Sequence, residues 1–422
     1  MIGKEYDSNT RGRNLSKLIE TSLSYPFRVK KRVAGVANEI PIGITTFPPE
    51  ERGHLMMLDL KESRADLILG KRGSGKSTLL KLILSELYYG NYLIIVLPDP
   101  RNEYILCKEP LQDKYQKYIN PERKDPMYMT GIDTVSFTPQ FLTVLNRGIK
   151  PNGAIEFQID PKDADLEDWI KVLNLEESGR YAQLSLFRNA FISYLNLTSP
   201  QLIERLLNLR QSGLAGANST KQKLSENIGS ILRIGYFGTK NTIDLGKEIQ
   251  KRIVVFCTEG KELADPILVN EFLAMMLRKI YYLKRKHNQI KNRRLALIHE
   301  EAWDVAPNIQ NPPSKKEIGN LIRLGRQPGI YQFFNYQYMY DVPQMIREQA
   351  TGVFFNYRLN PIHRNEVLDK FDVPFEQRAN LSFYPLKANK LTGMREWVFV
   401  THGEMKRFLP FFGTVKLQLQ ES

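Results

Sequence analysis

The chain has 422 residues, 42% of them hydrophobic, which is ordinary for a globular protein of one large domain or two, and a formal charge of +14 that favours a polyanionic partner. Two cysteines, Cys107 and Cys257, lie far apart with no CxxC partner or His cluster, so a disulfide framework or a zinc site has little support and both thiols are expected to be reduced and buried. No apolar run approaches the roughly 18 residues that span a bilayer, and the N-terminus carries charges where a signal peptide needs an apolar core, so no membrane span and a cytoplasmic location are expected.

Residues 1–60 mix short β-like stretches with Pro41, Pro48 and Pro49 and read as an N-terminal arm or small β element. An apolar strand, Leu67-Ile68-Leu69, then runs into Gly70-Lys71-Arg72-Gly73-Ser74-Gly75-Lys76-Ser77-Thr78, and leucines at helical spacing follow until Gly90. This is a P-loop in its proper strand-to-helix setting. Its glycines let backbone N–H groups turn toward phosphate oxygens, and the helix behind it offers its positive end. Lys76 can reach the β- and γ-phosphates, and the Ser77 hydroxyl can take a place on Mg²⁺. Residues 70–78 are therefore expected to bind ATP with Mg²⁺.

Tyr92 to Leu97 is a second buried-strand run, ending in Pro98-Asp99-Pro100-Arg101-Asn102-Glu103-Tyr104. Residues 106–240 read as a mostly helical insertion, with Leu184, Phe187, Phe191 and Leu195 at helix spacing and a second series through Leu202, Ile203, Leu206 and Leu207. Strands resume at 252–256, a long helix is expected from about Pro266 to Lys286, and further strands at 294–298, 331–334 and 352–355. Alternating strands and helices make an α/β fold with a parallel sheet. The core is thus expected in two parts, 61–105 and 241–422. Basic clusters such as Lys284-Arg285-Lys286 fit a solvated helix face as well as a nucleic-acid contact.

A P-loop ATPase needs a carboxylate at the end of a second strand for the metal shell and often another to orient or deprotonate water. Leu295 to His299 runs directly into Glu300 and Glu301, which places Glu300 at the metal with Ser77 and Glu301 at the water. A register in which His299 takes the metal place and Glu300 is catalytic also fits the letters. Further on, Arg326 precedes a strand and Gln337 follows it, so that Arg326 can act as a finger on a neighbouring subunit's nucleotide and Gln337 as a γ-phosphate sensor. The aromatic run from Tyr331 to Tyr340 reads as core alternation more than as a base-stacking platform.

In order, these motifs resemble the HerA/FtsK superfamily of DNA-pumping P-loop ATPases, on its HerA-like branch. Met57 to Lys61 looks like the branch's β lead-in, Asp99-Pro100 with Glu103-Tyr104 like its strand-end signature, and Glu300-Glu301-Ala302-Trp303 like its acidic box. Gly325-Arg326 and Gln337 are similar to its later elements. The resemblance implies a RecA-like core, a hexameric ring of identical subunits with ATP between them, and DNA in the central channel. It also implies Glu301 as the catalytic carboxylate and Arg326 as the trans-acting finger, which join Lys76 and Gln337 in the expected catalytic set. The function expected is an ATP-driven DNA translocase, with a partner protein possible on the helical insertion. A nucleotide-gated DNA-binding or assembly module with slow or no hydrolysis is the alternative.

Overall fold

The computed structural model describes residues 38–47, 55–109, 131–287, 290–324, 329–356, 358–383 and 396–410. Among these, the strands are β1 (Glu39–Phe47), β2 (Leu55–Asp59), β3 (Ala65–Leu69), β4 (Leu93–Asp99), β5 (Thr134–Pro139), β6 (Ala154–Phe157), β7 (Ile253–Cys257), β8 (Leu295–His299), β9 (Ile330–Tyr336), β10 (Gly352–Asn356), β11 (Trp397–Thr401) and β12 (Glu404–Leu409). They form a single sheet in the order β2-β1-β12-β11-β10-β3-β9-β8-β4-β7-β5-β6. From β10 to β6 every pairing is parallel, and from β10 outward to β2 every pairing is antiparallel.

The helices are α1 (Lys76–Tyr89), α2 (Gln140–Leu145), α3 (Leu166–Val172), α4 (Tyr181–Tyr194), α5 (Ser199–Leu207), α6 (Asn218–Arg233), α7 (Leu245–Lys251), α8 (Pro266–Lys286), α9 (Pro313–Leu324), α10 (Gln344–Gln349), α11 (Pro361–Lys370) and α12 (Phe375–Phe383). They cover both faces of the parallel strands. This is why β3, β4, β7, β8, β9 and β10 are buried at every residue and read as near-continuous apolar runs. Within each run, successive side chains point to opposite faces. Leu67, Leu69, Ile95, Leu97 and Phe355 enter one core, whereas Ile68, Ile94, Val96, Ile298 and Phe354 enter the other. Helix α1 lies on the second core through Leu79, Leu80, Ile83 and Leu87, and α8 on the first through Phe272, Met276 and Ile280.

The architecture is the mixed α/β P-loop fold expected, with a mainly parallel sheet and a small antiparallel part in which the N-terminal β1 and β2 join β11 and β12. Helix α8 has the bounds read from sequence because its ends carry their own signals. The Asp265 carboxylate caps the Ile267 N–H, Pro266 opens the first turn, and three basic residues close the last. Residues 106–240 hold more than helices: β5 and β6 add two parallel strands beyond β7, and the helix-rich stretch is α3 to α6. The polar letters in Thr134–Pro139 hide a strand whose residues are all buried, because Ser136 spends its hydroxyl on Asn102 Oδ1 at 2.6 Å.

Lys284 is a correction to the solvated-face reading. It is 1% exposed, and its ammonium donates to the carbonyls of Ile290, Lys291 and Arg293 in the connection to β8. Both cysteines are buried and free, and burial pushes each thiol up to about 12. Among the described residues, no helix is long and apolar enough to cross a membrane.

Candidate active site

At the C-terminal end of β3 the chain makes its loop over Gly70 to Gly75 and enters α1 at Lys76. Gly75 has φ +92, a left-handed conformation that a side chain would strain. Gly70 is required by proximity, since an added Cβ would lie 2.7 Å from Ser74 Oγ. The Lys76 ammonium folds back over the loop, donating to the Gly70 carbonyl at 2.6 Å and the Lys71 carbonyl at 3.3 Å. Lys71, Arg72 and Gly73 face solvent, while Ser77 and Thr78 are half-buried on the first turn. The Ser74 hydroxyl is buried with no hydrogen-bond partner. A backbone cradle at a helix N-terminus, with an orphaned hydroxyl inside it, fits a polyphosphate.

Strand β8 delivers the two carboxylates next to this loop. The Ser77 hydroxyl donates to Glu300 Oε1 at 2.6 Å, Asn335 Nδ2 to the same oxygen at 2.7 Å, and the Tyr104 hydroxyl to Oε2 at 2.7 Å. Burial pushes the Glu300 carboxyl up, and the bonds from Ser77 and Tyr104 oppose it. Glu301 adopts φ +53. One of its oxygens accepts from Trp303 Nε1 at 2.7 Å, and the other lies 3.6 Å from Arg101 Nη2. A hydroxyl beside a carboxylate is the hard oxygen set that suits Mg²⁺, so Ser77 and Glu300 fit that ion when it arrives with phosphate oxygens.

The turn after β4 organises both carboxylates. Asp99 is fully buried, and its two oxygens accept from the backbone N–H groups of Arg101 at 3.3 Å and Tyr104 at 2.9 Å. Asn102 between them has φ +52, a conformation asparagine tolerates better than most side chains. Burial raises the Asp99 carboxyl to about 7. Glu103 in turn pairs with Arg101 at 3.7 Å and with the buried Lys81 of α1 at 3.6 Å.

His299 is a packing residue. Its Nδ1 lies 2.7 Å from the Leu97 carbonyl, its Nε2 lies 3.3 Å from Gln332 Oε1, and its ring stacks on Phe334. Burial holds it down to about 4, so the ring is neutral at pH 7. The structure therefore brings together Lys76, Ser77, Glu300 and Glu301. Gln337 sits half-buried just past β9, and Asn335, two residues earlier, is the amide that touches Glu300. Arg326 lies outside the described residues. Tyr331, Phe333, Phe334 and Tyr336 are core side chains, whereas Tyr338 and Tyr340 lie beyond the strand and stack on each other at 5.2 Å.

Sequence reading missed the supports on the other side of the loop. Asn356, at the end of β10, donates to the Ser74 carbonyl at 2.5 Å and accepts from the Arg358 N–H at 3.1 Å. Arg358 Nη1 donates to the Gly73 carbonyl at 3.0 Å. No local motif marks either residue, since each is positioned by the pairing of β10 with β3.

Residues 56–301 match the family model described as the central domain of helicase HerA. Among solved structures, VirB4 of Thermoanaerobacter pseudethanolicus aligns at 13% identity and a TM-score of 0.55, covering 90% of this chain and 99% of that one. The bacterial conjugative coupling protein TrwB, in a form named TrwBdeltaN70, aligns at 12% identity and a TM-score of 0.49 over 92% of each chain. The genome packaging NTPase B204 from Sulfolobus turreted icosahedral virus 2, in complex with AMPPCP, aligns at 12% identity and a TM-score of 0.36, covering 83% of this chain and 99% of that one. No match is found among curated proteins. The family match spans more than half of the sequence and takes in both the phosphate loop and the paired carboxylates, so the chain belongs to the helicase HerA central-domain family of P-loop ATPases.

Proposed function

We propose that this protein is an ATP-driven DNA translocase, hydrolysing ATP at the interfaces of a homo-hexameric ring in the cytoplasm. The observation that carries the reading is the 2.6 Å bond from Ser77 to Glu300 with Glu301 directly after it. It supports a place for one carboxylate at the phosphate cradle and a role on water for the next. Lys76 binds the β- and γ-phosphates, Glu301 takes the proton of the attacking water, Gln337 senses the γ-phosphate, and Arg326 of a neighbouring copy stabilises charge on the phosphoryl group. Ser77 and Glu300 would hold Mg²⁺, which would supply positive charge toward the phosphates. The net charge of +14 supports a DNA partner, since neutralised phosphates release counterions. The helices α3 to α6 offer a place for a partner protein.

The test is ATP turnover with and without single- and double-stranded DNA at one low salt concentration, for the wild type, Lys76→Ala and Glu301→Gln. DNA-stimulated turnover lost in both variants supports the motor. A second reading, a nucleotide-gated assembly module, draws on the partners that Lys76 and Ser77 already hold within the chain. ATP binding without turnover in the wild type would favour it.

A further inference from the structure

The loop after β4 carries a cation to which the reaction above gives no role. Arg101 projects from the C-terminal end of the sheet with its side chain 44% exposed, its backbone N–H fixed by Asp99. Its guanidinium divides between Glu301 at 3.6 Å and Glu103 at 3.7 Å. Both separations are longer than the roughly 2.7–2.9 Å of a tight charge-assisted bond, so neither carboxylate holds it firmly.

Arg101 also shares the field of the phosphate loop. Burial holds the Lys76 ammonium below its usual range; Glu300 and Glu301 oppose that, and Arg101 adds to it. The carboxylate it touches is itself poised. Glu301 is a non-glycine residue at φ +53, with one oxygen on Trp303 and the other toward Arg101. Such a backbone persists where its surroundings hold it. A planar, always-charged guanidinium suits a phosphate at least as well as a carboxylate.

We infer that Arg101 is a further phosphate-binding residue, exchanging its partner from Glu301 to the γ-phosphate of bound ATP and thereby releasing the Glu301 carboxylate to face water. The inference rests on the ATPase reading and adds a positioning role: Arg101 couples arrival of the third phosphate to the freedom of the carboxylate. Because Glu301 and the γ-phosphate compete for one cation, removing the charge on Glu301 must tighten triphosphate binding, and only while Arg101 is present.

A double-mutant cycle in the full chain tests this. Binding of β,γ-methylene ATP and of ADP, each with Mg²⁺, is measured for the wild type, Glu301→Gln, Arg101→Gln and the double variant. The result expected is about fivefold tighter analogue binding in Glu301→Gln, no such gain in the Arg101→Gln background, and no coupling for ADP. Arg101→Lys, which keeps the charge, should retain part of the coupling. An equal gain in both backgrounds, or the same coupling with ADP, overturns the exchange. Additive binding alongside DNA-stimulated turnover sinks the exchange alone, whereas failure of all four proteins to bind the analogue sinks the ATPase reading as well.

Discussion

Tyr104, in the turn after β4, holds Glu300, just past β8, through a hydroxyl donated to Oε2 at 2.7 Å, and both residues are buried. The pairing of β4 with β8 makes the contact possible across nearly two hundred residues of chain. Burial pushes the Glu300 carboxyl up, and Tyr104 is one of the two hydroxyls that pull it back. Tyr104→Phe removes that pull, so the carboxylate takes up its proton at higher pH. The acid limb of the ATPase pH profile should move to higher pH, and more Mg²⁺ should be needed for half-maximal rate. A profile superimposable on the wild type would show that the hydroxyl does not act on Glu300.

His299 gives the fold a defined acid sensitivity. Its folded value, about 4, is below its ordinary 6.5, so the stability it contributes is present above pH 6.5 and is lost as pH falls toward 4. The full effect is on the order of 3 kcal/mol. Asp99 and Glu300, whose values are raised, slope the other way, so the comparison must be between variants. Denaturant unfolding of His299→Gln should lose less stability than the wild type between pH 6.5 and 4. Parallel curves would mean that the ring is not buried as a neutral group.

Asn356 supports the phosphate loop from below. Asn356→Ala leaves the Ser74 carbonyl and the Arg358 N–H without the amide that pairs them. The loop should loosen, and ATP affinity should fall about tenfold or more, the equivalent of roughly 1–3 kcal/mol for partners left unmet. Calorimetric titration with ATP and Mg²⁺ reads this directly. The melting temperature should change less than it does for a large-to-small substitution at Leu67 in the same sheet, because only one end of a strand is disturbed.

Lys284 makes a prediction that a surface lysine would not. Lys284→Met keeps the apolar stem but strands the carbonyls of Ile290, Lys291 and Arg293, at a cost of about 1–3 kcal/mol in unfolding free energy. The same change at Lys286, which is exposed on the last turn of α8, should stay within about 0.5 kcal/mol. Equal effects at the two positions would place Lys284 in solvent.

Much of the candidate site is legible in the sequence, and the remainder is not, for a single reason. The glycine spacing of the phosphate loop is a local device: φ +92 at Gly75 and the approach of Ser74 to Gly70 require glycine wherever this turn occurs. The carboxylates are legible for a similar reason, since an apolar run ending in Glu300-Glu301 is visible in a short window. The amide partner is not. Asn335 and Gln337 fall on the same parity of strand alternation, and only the register of β9 on β8, with His299 opposite Phe334, brings Asn335 level with Glu300.

By itself, then, the sequence determined what short-range physics determines: strands buried on both faces, the capped helix α8, the phosphate loop, and the order of motifs that marks the family. The tertiary structure decided which distant groups meet. Tyr104 and Arg101 reach the two glutamates, Asn356 braces the loop, β5 and β6 join the sheet, and Lys284 turns inward. Each of these contacts depends on the order and register of parallel strands, which arises from packing between segments far apart in the chain and leaves no periodic trace in any one of them.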